Sequence, residues 1–172
     1  MKLTAEFAHL AMTGLSDTER LARLLAGLLR RGDAIMLQGG LGAGKSTLAR
    51  ALIRALTTPE EEVPSPTFTL VQIYPTCDFD LYHFDLYRLT DPGEAYELGL
   101  EEAITDGAAL VEWPERLNDD RPGDRLDLEI LAADADSDLE NGPRRVILSG
   151  HGSWAARLPR LMQRWNASET HD

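Results

Sequence analysis

Several things are scarce in this chain. Cys77 is its single cysteine among 172 residues, so it can form neither an internal disulfide nor a paired-cysteine zinc site. That suits a reducing compartment, and a cytoplasmic location is expected. No stretch approaches the ~20 apolar residues of a membrane span, and Glu6 and His9 interrupt the apolar residues near the start. Positive charge is also short: 17 basic residues face 29 acidic ones, for a net charge of -12. Such a chain lacks the electrostatic footprint of a protein that grips nucleic acid unaided, so strong direct RNA or DNA binding is not expected. Lysine occurs only at Lys2 and Lys45. The sequence has no internal repeat and no low-complexity block.

With 43% apolar residues the length suffices for one domain with a real core. That domain is expected over residues 1–165, with a frayed, disordered tail over 166–172. The stretch that organises it is Gly39-Gly40-Leu41-Gly42-Ala43-Gly44-Lys45-Ser46, which matches G-x-x-x-x-G-K-[ST] at every fixed position. Glycines let the backbone turn with its N–H groups inward, forming a concavity for phosphate oxygens at the start of the following helix. Lys45 would reach the β- and γ-phosphates, Ser46 would offer its hydroxyl to Mg²⁺, and Thr47 continues the helix start. A glycine-rich turn between strand and helix is the bland alternative. The flanks favour the phosphate reading: Ala34-Ile35-Met36-Leu37 is an apolar run suited to a buried strand, and Leu48, Leu52 and Leu56 recur at helical spacing after the loop.

Along the rest of the chain, Leu3 to Met12 suits a first strand. Ser16-Asp17-Thr18-Glu19 has the form of a capping box ahead of a leucine stripe that Gly32 stops. The turn at Leu15 to Thr18 is a candidate neighbour of a nucleotide base, which the sequence leaves open. After the phosphate-loop helix, Pro59 to Pro64 forms an acidic connector ending in Ser65-Pro66-Thr67-Phe68-Thr69. Thr67 sits there either on a nucleotide-responsive switch or on an ordinary polar turn. Thr69–Tyr74 and Leu81–Tyr87 read as a hairpin. Asp85 lies near the end of the second strand, and His83 reads as a packed or surface histidine rather than a ligand. Ala108-Ala109-Leu110-Val111 runs into Glu112-Trp113-Pro114, and a carboxylate at the carboxyl end of a buried strand faces the crevice where α/β sheets bind ligands. A strand-ending surface glutamate is the competing reading. Asp119 to Glu140 carries nine acidic residues and two arginines around the alternating Leu126, Leu128 and Ile130. A last strand at Arg144–Leu148 and a helix at Ser153–Trp165 close the chain. The fold class expected is α/β: one P-loop NTPase domain, a mixed sheet with helices on both faces.

Gly39 to Ser46, Ser65-Pro66-Thr67-Phe68-Thr69, His83-Phe84-Asp85-Leu86-Tyr87-Arg88-Leu89, Leu98-Gly99 and Val111-Glu112-Trp113-Pro114 occur in an order and spacing that resembles the TsaE family, also called YjeE. The resemblance covers about Ser16 to Glu115. It implies a small bacterial P-loop ATPase that binds and hydrolyses Mg·ATP to support the TsaD and TsaB proteins in forming threonylcarbamoyladenosine in tRNA. By resemblance Lys45 binds phosphate, Ser46, Glu112 and Asp85 serve Mg²⁺, Asp85 is the Walker-B acid, Thr67 belongs to the switch-like loop and Trp113 lies near the nucleotide. Two positions depart from the family pattern: Gly40 stands where Asp is common, and Ser46, which keeps the hydroxyl, stands where Thr is common. A P-loop kinase of a small metabolite and a nucleotide-sensing module that hydrolyses nothing are the alternatives. A GTPase is disfavoured, because its Asn-Lys-x-Asp motif needs a lysine downstream and none follows Lys45.

Overall fold

In the computed structural model, residues 6–66, 69–133 and 142–169 are described. The phosphate loop hangs from the centre of a seven-stranded sheet. The strands are β1 (Glu6–Met12), β2 (Ala34–Gln38), β3 (Val71–Pro75), β4 (Asp80–Asp85), β5 (Gly107–Glu112), β6 (Arg125–Ala132) and β7 (Arg144–His151). Their spatial order is β1-β7-β6-β2-β5-β4-β3. β2 runs parallel to both β5 and β6, and β4 is parallel to β5. The outer pairs β1–β7, β6–β7 and β3–β4 are antiparallel, so the sheet is mixed.

Helices cover both faces. α1 (Leu15–Leu28), α2 (Lys45–Leu56) and α5 (Trp154–Glu169) lie on one, while α3 (Pro92–Glu97), α4 (Leu100–Asp106) and a 3-10 turn at Pro114–Leu117 lie on the other. Alternation along β2 sends Ile35 and Leu37 into the larger core with α1, α2 and α5, and Ala34 and Met36 into the smaller one. Burial on both sides explains why that strand reads as an unbroken apolar run. The fold expected from the sequence is the fold observed. Among the described residues no helix is long and apolar enough to cross a membrane.

Three boundaries differ from the sequence reading. The capping box at Ser16 is displaced: Gly14 is the N-cap of α1, and Asp17, third in the helix, accepts hydrogen bonds from the Thr13 N–H and hydroxyl, both at 2.8 Å. Gly99 adopts φ 96° and joins α3 to α4, a helix pair absent from the sequence reading. The closing helix continues past Trp165 to Glu169, because Arg20 of α1 donates to the Trp165 carbonyl and to the Ser168 hydroxyl across the helix pair. Leu3 to Ala5 of the first strand and the last three residues of the tail lie outside the described residues.

Asp17 gives a first prediction. Burial pushes its carboxyl pKa up, but the Thr13 N–H and hydroxyl and the Arg20 guanidinium outweigh that and hold it below the ordinary 3.8. Its contribution to stability is therefore complete above pH 3.8 and is lost as pH falls through the lower folded value. Asp17→Ala should cost about 1 kcal/mol at pH 7 and lower Tm by ~2–4 °C. The cost should shrink when urea melts are repeated below pH 3, and an equal cost at both pH values would contradict the account.

At the base of the sheet, Arg157 of α5 makes a two-pronged pair with Asp33, at 2.6 and 2.7 Å, and donates to the Leu28 carbonyl at 2.8 Å. Asp33 also accepts the Arg30 N–H at 2.7 Å. The Asp33 and Arg157 side chains and Leu28 are buried. The pair fixes the turn that feeds β2, and through β2 it sets where the phosphate loop starts.

Candidate nucleotide site

β2 ends at Gln38, and the chain passes through Gly39–Gly44 into α2. Gly39 has φ 150°, and a Cβ there would stand 2.8 Å from the Ile130 carbonyl oxygen on β6, so only glycine fits against the neighbouring strand. Gly44, with φ 107°, is the N-cap of α2 and provides no side-chain cap. The first N–H groups of α2 are thus left for a ligand, at the positive end of the helix dipole.

Lys45 folds back over the loop. Its Nζ donates to the carbonyls of Gly39 and Gly40 and lies 3.7 Å from the centroid of the Trp113 ring. Trp113 reaches that position from a left-handed backbone, φ 62°, immediately before Pro114. Its ring leans on Tyr87, centroids 4.9 Å apart, so an aromatic pair walls the lysine on one side. Burial draws the Lys45 pKa below its ordinary 10.5, against the opposing pull of Glu112, Glu115 and Asp85.

The acids stand beside it. Asp85 ends β4, Glu112 ends β5, and the two are direct partners in the parallel register. Both are buried, at 8% and 3% exposure, which rules out the surface-glutamate reading of Glu112. The Ser46 hydroxyl donates to Glu112 Oε1 at 3.0 Å, and His83 Nε2 lies 2.8 Å from Glu112 Oε2. Asp85 Oδ1 accepts the Tyr87 N–H at 3.0 Å. Glu112 belongs to the strand next to β2, Asp85 to the strand beyond, and it is Glu112 that meets Ser46.

A cleft of about 500 Å³ joins Lys45, Ser46, Ser65, Asp85, Glu112 and Trp113. The sequence-selected loop residues Gly40, Leu41, Gly42, Ala43, Gly44 and Thr47 line the same space. Thr67 and Phe68 lie outside the described residues, while Ser65, two positions earlier, does line the cleft. On the far side of the loop a second hollow of about 360 Å³ is bounded by Met12, Leu15, Thr18, Thr47 and Arg144. The Leu15–Thr18 turn left open by the sequence therefore adjoins the phosphate loop. Arg144 braces the loop, its Nε donating to the Ala43 carbonyl at 3.0 Å.

Two buried carboxylates and a hydroxyl are hard oxygen donors, which suit Mg²⁺. Among the described residues no set of three or more His, Cys, Asp or Glu side chains is arranged to hold a metal alone. That fits a cation bound partly through phosphate oxygens, as Mg²⁺ is in phosphate-transfer sites.

Sequence reasoning missed the pairing of His83 with Glu112, the Arg144 brace and the stacking of Lys45 on Trp113. An acid at the end of a strand and a histidine on the next strand were both visible. Which strands adjoin was not.

Comparison with known proteins points to one family and one fold. The family model described as threonylcarbamoyl adenosine biosynthesis protein TsaE matches residues 12–141. The tRNA threonylcarbamoyladenosine biosynthesis protein TsaE of Streptomyces coelicolor is 40% identical over 139 residues, 78% of this chain and 92% of that protein. Its Bacillus subtilis namesake is 37% identical over 121 residues, 70% and 75% of the two chains. The Rickettsia felis namesake is 44% identical over 106 residues, and there the match spans only 62% of each protein. Among solved structures, Bacillus subtilis YdiB superposes with a TM-score of 0.71 at 26% identity, covering 97% of this chain and 99% of that one. With its model matched over residues 12–141 and this sheet beneath the match, the chain belongs to the TsaE family.

Proposed function

We propose that this protein binds Mg·ATP on the Gly39–Ser46 loop and hydrolyses it in support of TsaD and TsaB, which form threonylcarbamoyladenosine in tRNA. The observation that carries the reading is the Ser46–Glu112 contact at 3.0 Å, beside Lys45 and at the open N-terminus of α2. One residue for the phosphates, one hydroxyl and one buried acid are thereby brought to the same point. Names borne by the relatives support the pathway, and the acidic charge supports a division of labour in which RNA is handled by partners.

In this reading the loop N–H groups and Lys45 hold the β- and γ-phosphates. Ser46, Glu112 and Asp85 would hold Mg²⁺, whose contribution when bound is to neutralise charge on the phosphate oxygens. Glu112 orients the water that attacks the γ-phosphorus, Asp85 supports it from the adjoining strand, and Trp113 closes the phosphate end. The hollow at Met12, Leu15 and Thr18 receives the base. Thr67 belongs to the segment that answers the γ-phosphate, and the protein works in the cytoplasm.

The experiment is to measure ATP turnover by the purified chain, then to add TsaD and TsaB from the same organism. Turnover should rise, because phosphoryl transfer depends on positioning that a docked partner completes. If turnover stays unchanged, and the partners modify tRNA through repeated cycles without this protein, the assignment to that pathway falls.

A further inference from the structure

His83 has no part in the reading above, although it is 2% exposed and touches the acid on which that reading turns. We propose that His83 is a positioning residue: through Nε2 it pins the Glu112 carboxylate in the orientation that serves Mg²⁺ and the attacking water. The inference deepens the proposed nucleotide site and rests on it.

Strand geometry creates the contact. Alternation along β4 puts Leu81, His83 and Asp85 on the sheet face covered by α2. His83 is registered with Leu110 of β5, and Glu112 lies two residues further along β5 on that face. The histidine therefore approaches Glu112 diagonally from the interior, while Ser46 approaches from the phosphate loop. Each carboxylate oxygen has its own partner, Ser46 on Oε1 at 3.0 Å and His83 on Oε2 at 2.8 Å. A carboxylate held at both oxygens cannot rotate about its last bond.

The other ring nitrogen separates this role from a structural one. Nδ1 is buried and has no hydrogen-bond partner among the described residues. A histidine serving only the core would bond at both nitrogens, or would be replaced by an apolar ring that orphans nothing. Leaving a buried polar atom unmet is costly, so among the described residues the contact with Glu112 is the polar interaction that accounts for a histidine here. Only a ring that carries hydrogen on Nε2 can donate to the Glu112 carboxylate, so the contact fixes which end of the ring does the positioning. Glutamate has three rotatable bonds between backbone and carboxylate. Without the pin, Oε1 can swing from Ser46 and the acid loses its aim at the cleft.

Amide side chains make the test selective. The glutamine amide nitrogen occupies about the position of histidine Nε2, while that of asparagine falls near Nδ1. The experiment is calorimetric titration of the full-length chain with ATP, first without metal and then across a Mg²⁺ series, for wild type, His83→Gln, His83→Asn and His83→Phe. Phe fills the ring space, so a folded comparison exists, and thermal melts check each variant. Affinity for ATP without metal should be the same in all four. Loss of a partner behind a metal ligand typically costs 10–100-fold. His83→Asn and His83→Phe should therefore need ~10–100-fold more Mg²⁺ to reach half of its effect on ATP affinity, whereas His83→Gln should stay within about 3-fold of wild type. A wild-type Mg²⁺ midpoint in His83→Asn or His83→Phe overturns the inference while leaving the nucleotide site standing. So does a metal-free ATP affinity that weakens in step with the Mg²⁺ effect, since that marks a general structural role. Wild-type protein that binds no ATP would overturn the proposed function itself, and this inference with it.

Discussion

Glu112→Gln should bind metal-free ATP as wild type does and, at saturating Mg²⁺, hydrolyse it about 10²–10³-fold more slowly. Glutamine keeps the length of the side chain and an oxygen that can accept from the Ser46 hydroxyl, so the 3.0 Å contact and the fold should survive. What is removed is the negative charge, on a side chain that is only 3% exposed at the edge of the cleft. A charge of that kind contributes where positive charge and a proton are being moved, and hence more to the transition state than to the bound ground state. The measurement is single-turnover hydrolysis beside equilibrium ATP binding. A fall in both by the same factor would make Glu112 a binding residue. Normal turnover would leave its burial as a matter of packing alone.

Lys45→Ala should weaken ATP binding by ~10²-fold or more, since hydrogen bonds from a charged group to phosphate contribute about 1.5–3 kcal/mol each. The fold should be spared. The Nζ partners in this structure are the Gly39 and Gly40 carbonyls of the loop and the face of Trp113, which leans on the edge of the smaller core without being buried in it. Because burial pulls the Lys45 pKa below 10.5, wild-type affinity should also decline as pH rises, earlier than for an ordinary lysine. Binding is measured by titration at pH 7 and at increasing pH, and folding by thermal melts. Near wild-type affinity in the alanine variant would remove the phosphate role from Lys45. A collapse of Tm would mean that the loop carbonyls depend on the ammonium for more than a resting place.

Much of the site could be read in the sequence because its parts are local. The phosphate loop is eight consecutive residues whose chemistry requires glycine, lysine and a hydroxyl at fixed offsets, and Gly39–Ser46 satisfies each. Strand β2 was legible from its unbroken apolar run, and the mixed sheet from the β3–β4 hairpin. What stayed hidden were relations between distant segments. Asp33 and Arg157 stand 124 positions apart and Arg144 braces Ala43 across 101, and neither pair has a sequence pattern to mark it. The N-terminus of α1 was misread for another reason. Ser16 through Glu19 has the letters of a capping box, yet Thr13 and Gly14 bring the chain into the helix two residues sooner, and Asp17 turns back to serve Thr13. Local propensity proposed one start, and the docking of β1 on β7 chose another.

The place of β2 in the sheet also bears on how the protein is made. Its two neighbours, β5 and β6, are encoded after it, and β1 has only β7 to pair with. A ribosome therefore releases the phosphate loop long before any strand exists to hold it. At ~5–20 residues per second the loop waits on the order of 10 s. Throughout that interval nucleotide has no formed cradle to enter and cannot help the emerging half to fold. A product cut short before Arg125 would carry every residue of the loop and still lack the β6 backbone against which Gly39 turns. If the loop binds ATP as proposed, that binding would mark a chain translated through β6, something that the presence of the loop alone does not report.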